Sequence, residues 1–89
     1  MTLAVAVVDE VRARMTARGM SARALARAAG MPPSLLHRAM AGERPLSLDE
    51  LDAVSAALGV QPDYLVRMAR QRLTRPGEGS ELNGEPRQV

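Results

Sequence analysis

The chain has 89 residues, 46% of them hydrophobic, with one Tyr, no Phe, no Trp and no Cys; 12 basic against 10 acidic residues leave a net charge of +2. This size allows one small domain that buries only about 60% of its unfolded surface, and the composition suits packed short helices, suits a β-sandwich poorly, and excludes disulfide frameworks and thiolate metal sites. The single His cannot build a metal site alone, no apolar run approaches the roughly 20 residues of a membrane-spanning helix, and the opening MTLAVAVVDE lacks the basic start of a signal peptide; a cytoplasmic protein without a membrane partner is expected.

The charge is unevenly spread. Residues 1–45 carry seven Arg and three acids, a net +4, whereas residues 46–73 and 74–89 are each −1. A basic first half suits a polyanionic partner. On charge alone, arginines coating solvated helix faces are the simpler reading. Every basic residue is Arg and none is Lys.

The first predicted helix runs from Leu3 to Arg18, with Thr2 as N-cap and Gly19 as its stop. Ala4, Val7, Val8, Val11 and Met15 form its apolar stripe, with Asp9 and Glu10 off it. Arg12, Arg14 and Arg18 are expected on a solvated face. The second helix, Ala22 to Ala29, is capped by Ser21 and ended by Gly30. Ala22, Leu25 and Ala29 share one face, and Arg23 and Arg27 sit opposite. Met31 is expected to plug the core. The third helix opens at Pro32–Pro33 and runs to Ala41, with Gly42 as stop. Leu36, Ala39 and Met40 face inward, Ser34, Arg38 and Ala41 outward, and Leu35 and His37 lie on the flanks. Ser47 and Glu50 make a capping box for the fourth helix, whose stripe is Leu48, Leu51, Val54 and Leu58. Gly59 ends it and Val60 folds back. The fifth helix runs from Pro62 to Leu73, with Leu65, Met68, Ala69 and Leu73 apolar. Residues 74–89, TRPGEGSELNGEPRQV, read as a disordered tail after a folded domain of residues 1–73.

Two short helices joined by a tight turn at Gly30 make Ser21 to Gly42 a helix-turn-helix. Residues 11–65 resemble the lambda-repressor and Cro-like, or XRE-type, helix-turn-helix domains. The resemblance rests on Arg-Gly-Met-Ser at 18–21, Leu25-Ala26, Ala29-Gly30-Met31 and Pro33-Ser34. It continues through Leu36, Arg38, Gly42, Ser47-Leu48-Asp49-Glu50-Leu51, Ala57-Leu58-Gly59-Val60 and Pro62-Asp63-Tyr64-Leu65. It implies an all-α domain of five helices, binding to double-stranded DNA and a homodimer on a palindromic operator. The chain departs from the family at Ala22, where a phosphate-contacting Gln is usual, at Pro32, where Ser or Thr caps the third helix, and at Ala39, where a large aliphatic is common.

In such docking the second helix of the pair enters the major groove. Ser34, Leu35, His37 and Arg38 are therefore the candidate base contacts. Arg38 has the fork that reads guanine O6 and N7 together. Leu35 suits a thymine methyl, or else packs under the first helix or a partner subunit. His37 reaches a phosphate or base edge, or is merely solvated. Arg23, Arg27 and Arg44 are the candidate phosphate contacts. The leading expectation is a sequence-specific regulator, a small repressor or a Cro-like phage or prophage protein. An antitoxin with a toxin partner and an interaction module of the same fold are the alternatives. No cofactor or metal is expected, and no nucleophile, phosphate loop or acid pair suggests an enzyme. Tyr64, Met68, Leu73 and Leu3 are the apolar candidates for a dimer surface.

Overall fold

Five helices follow one another in a computed structural model that describes residues 1–74: α1 (Leu3–Arg18), α2 (Ala22–Ala29), α3 (Pro33–Met40), α4 (Leu48–Leu58) and α5 (Pro62–Thr74). No strand occurs among the described residues. The helix starts follow from capping chemistry. The Thr2 hydroxyl accepts the Val5 N–H at 3.2 Å and the Ser21 hydroxyl accepts that of Ala24 at 3.1 Å. Ser47 and Glu50 exchange both bonds of a capping box, at 3.0 and 2.9 Å.

The first four helices end alike. After each, a glycine and the residue beyond it turn their N–H groups back onto the last carbonyls, as Gly30 and Met31 do onto Arg27 and Ala26. Gly30 has φ +70, a left-handed geometry that is strained for any residue with a Cβ. The residue beyond the glycine is apolar in three of the four ends. Met31 is buried and Met20 and Val60 are half-buried, all against the core. In the fourth it is Glu43, which is exposed.

Leu25, Leu36, Leu58 and Leu65 fill the centre of the core, with Val11 and Val54. α1 lies along α5, while α2 packs on both α3 and α4. Small side chains set how close the helices come, since Ala6, Ala26, Ala39 and Ala69 are all fully buried. Three assignments of buried face need correction. Ala6 and Ala26 are buried where Ala4 and Ala22 were expected, because α1 and α2 present slightly rotated faces to their neighbours. Leu48 is 84% exposed. As the first residue of α4 its side chain leans over the preceding loop, away from the core. Tyr64, Met68, Leu73 and Leu3 are each half-buried. The exposed large apolar residues are Met1, Val5 and Leu48 instead. α3 ends at Met40, one residue early, and α5 takes in Thr74; the rest of the expected tail lies outside the described residues.

Arg12 and Arg18 are exposed as expected and Arg14 is half-buried, but all three are hydrogen-bonded across the fold. Arg12 donates to the Met40 carbonyl at 2.7 Å, Arg18 to the Leu58 carbonyl at 3.0 Å, and Arg14 to the Tyr64 hydroxyl at 2.7 Å. The Arg14 guanidinium also sits 4.9 Å from the centre of the Tyr64 ring, a cation–π contact. Glu10, expected off the stripe, is only 5% exposed. Its two oxygens accept from Arg14 at 3.2 Å and from Arg72 of α5 at 2.9 Å. Neither partner distance was visible along the chain beyond the Glu10–Arg14 spacing of four.

Glu10→Ala strands two guanidinium groups at the α1–α5 seam, so it should lower the free energy of unfolding by about 2 kcal/mol. Urea denaturation with an unchanged m-value checks this.

Candidate nucleic-acid interface

α2 and α3 form the helix-turn-helix, joined through Gly30, Met31 and Pro32. Leu25 and Ala26 of α2 and Leu36 and Ala39 of α3 are the buried residues of the pair, which leaves the opposite faces open. On α3 that open face carries Ser34, His37 and Arg38, all exposed. Ser34 and Arg38 lie one turn apart and therefore line up along the helix. Arg38 makes only a long ion pair with Glu43, at 3.6 Å, between two side chains more than half exposed. Such a pair is worth little and leaves the fork available. Leu35 is half-buried and packs against the core, so its role as an apolar base contact rests on the part that remains open.

The start of α3 is unusual in how few donors it offers. Pro32 provides no side-chain cap. Pro33 has no N–H, and those of Leu35 and Leu36 both reach the Pro32 carbonyl, at 3.1 and 3.3 Å. Ser34 holds the one N–H of the first turn without a backbone acceptor. Backbone capture of a phosphate at this end would depend on that single group, and the side chains must supply the rest.

On α2, Arg23 and Arg27 are exposed one turn apart, and among the described residues no ion pair engages either. Both lie on the face of α2 away from its buried Leu25 and Ala26. Arg44 differs. Its Nη2 lies 3.0 Å from both oxygens of Glu50, and its Nη1 is enclosed without a partner. Arg44 thus braces the loop before α4 in the structure, and a phosphate would have to compete with Glu50 for it. Glu50 in turn has its pKa lowered, chiefly by the Ser47 N–H bond and further by the Arg44 guanidinium, against the opposing effect of burial. Ala22, exposed at the start of α2, brings no polar group to this face. No group of His, Asp and Glu among the described residues is placed to hold a metal ion. No described helix is long and apolar enough to cross a membrane.

A family model described as helix-turn-helix matches residues 11–65. Among solved structures, the clp gene regulator ClgR from Corynebacterium glutamicum is similar, with a TM-score of 0.78 at 23% identity over 88% of this chain and 83% of that one. At that identity the likeness shows the fold. No curated protein matches the chain.

The lowered pKa of Glu50 has a signed consequence. An unfolded Glu titrates at about 4.3. The capping-box contribution is therefore complete above that value and is lost as pH falls through the lower folded value. Glu50→Gln keeps a capping side chain but does not titrate. The stability gap between the wild type and Glu50→Gln should shrink as pH is lowered from about 6 to about 3, as thermal unfolding across that range would show.

Proposed function

The chain belongs to the helix-turn-helix family, a family of DNA-binding transcription regulators, and on that premise we propose that it recognises a specific double-stranded sequence by laying α3 in the major groove. The observation that carries this reading is the exposed row of Ser34, His37 and Arg38 on α3 beside the exposed Arg23 and Arg27 of α2. Base edges are read by the first group and the backbone is gripped by the second. Arg44 joins the phosphate contacts only by exchanging its Glu50 partner. The protein acts as a small repressor or Cro-like regulator of phage or prophage type, occluding a promoter.

A homodimer on a palindromic operator completes the proposal. Of the apolar candidates Tyr64, Met68, Leu73 and Leu3, all half-buried within the domain, only Leu3 lines the hollow that the dimer contact would use. Leu48 is the better candidate. It stands 84% exposed on the wall of an apolar hollow of about 230 Å³ formed with Leu3, Val7, Leu46, Leu51 and Val66. A contact made of one protomer's leucine and its partner's hollow is self-complementary about a two-fold axis.

Selection of bound sequences from a random DNA pool tests the central claim. An enriched site with inverted half-sites is expected, and enrichment of nothing above background would defeat it. On the selected site, Arg38→Ala should flatten the preference at one base pair by about 1–3 kcal/mol. Arg23→Ala should instead weaken selected and scrambled sites alike and reduce the slope of log K against log salt by about 0.9. Leu48→Asp should shift sedimentation at micromolar concentration, or on the operator, towards the monomer while leaving the helical circular dichroism unchanged.

A further inference from the structure

We propose that Arg12 is a positioning residue for α3: from α1 it holds the C-terminal end of the recognition helix, and through that hold it sets the angle at which the exposed face meets DNA. The consequence for DNA rests on the reading above; the hold itself does not.

The end of α3 closes on local backbone bonds but leaves its last carbonyl to a distant donor. The carbonyls of His37, Arg38 and Ala39 accept the N–H groups of Ala41, Glu43 and Gly42, at 2.9, 2.9 and 3.1 Å. That leaves the Met40 carbonyl without a backbone donor, and the Arg12 Nη2 reaches it at 2.7 Å from 28 positions away. A cation at the last carbonyl also complements the helix dipole. The ends of α1, α2 and α4 are each pinned by an apolar residue beyond the glycine, but α3 has the exposed Glu43 there. Its other end has no side-chain cap.

Packing between the two helices is incomplete. A hollow of about 380 Å³ opens beside their contact, with Val5, Val8 and Asp9 on one side and Ala39 and Met40 on the other. The Arg12 side chain, itself among the lining residues, joins the two helices there by a hydrogen bond. Asp9 lies 3.6 Å from Nη1 of the same guanidinium, one helical turn back, and favours the orientation in which Nη2 meets the carbonyl. α3 is therefore fixed at its middle by the buried Leu36, and at its C-terminal end by the buried Ala39 together with Arg12. The exposed face bearing Ser34, His37 and Arg38 is left free for base edges.

The test uses the full chain as wild type, Arg12→Ala and Arg12→Lys. Alanine suits the middle of α1 at least as well as arginine, and Asp9 is exposed enough to lose its partner at little cost. Two readouts are taken. Amide hydrogen exchange by NMR reports on α3 without DNA, and binding to the selected and a scrambled site over a salt series reports on recognition. Arg12→Ala is expected to speed exchange at Ala41, Gly42 and Glu43 by about tenfold, the equivalent of one modest charged hydrogen bond, with α4 and α5 unchanged. The ratio of selected to scrambled affinity should fall by a similar factor, with the salt slope intact and most of both effects restored by Lys. Unchanged exchange at the end of α3 overturns the proposal whatever DNA shows. Uniformly faster exchange overturns it too, by making Arg12 a general stabiliser. A salt slope lower by about 0.9 with the selected-to-scrambled ratio intact overturns it by making Arg12 a phosphate contact. Faster exchange with an undiminished ratio removes the link to recognition. A wild type that discriminates no sequence defeats the DNA reading instead, and the exchange data then decide alone whether Arg12 holds α3.

Discussion

A guanidinium can bridge a gap between helices that a methyl group cannot fill, and this domain is arranged around that difference. Its seams are lined with fully buried alanines, at 6, 26, 39 and 69. Alanine lets backbones approach but interdigitates poorly, so it fixes spacing better than it fixes register. Register comes from α1. Arg12, Arg14 and Arg18 reach α3, α5 and α4 in turn, two of them ending on backbone carbonyls. Glu10 adds a constraint of a different kind. A buried carboxylate is costly unless it is paired, and its partners come from α1 itself and from Arg72 of α5. Sliding α1 by one turn along α5 would cost that charge its Arg72 partner and leave it Arg14 alone, which disfavours the slipped packing.

The helix boundaries were legible because they are written locally. Thr2, Ser21 and Ser47 cap within three residues, and Gly19, Gly30 and Gly59 close within five. The order of apolar stripes was legible for the same reason, and the helix-turn-helix family was legible as a resemblance through residues such as Ala29-Gly30-Met31 and Ser47-Leu48-Asp49-Glu50-Leu51, over the residues that the family model matches. What could not be read was set by partners far along the chain. Arg12 and Met40 are 28 residues apart, and Glu10 and Arg72 are 62 apart. No periodicity announces such pairs, so charged residues on α1 looked like solvent coating. Leu48 failed in the opposite way. It has the right spacing for the core stripe of α4, but it comes too early in the helix for the core to extend beneath it.

The candidate interface was legible to the level of the helix face and less so at its edges. Ser34, His37 and Arg38 stand open as their spacing required. Arg44 looked equally free from its place in a loop, yet Glu50 six residues later engages it. Sequence spacing ranks residues by face, but it does not reveal which charges are already spoken for. The double proline adds a further bias. By removing donors at the start of α3 it shifts the work of recognition from the backbone to side chains, which differ from one protein to the next.

The absence of lysine gives the tethers of α1 a chemical character of their own. The links to Met40, Leu58 and Tyr64 are all made by planar guanidinium forks, which fix direction as well as distance. An ammonium in the same places could be silenced by an acetyl group, and a guanidinium offers acetylation no such amine. The tethers of α1 are thus out of reach of lysine acetylation. Glu50, whose pKa is held low by the Ser47 N–H and the Arg44 guanidinium, gives up its capping bond only to acid.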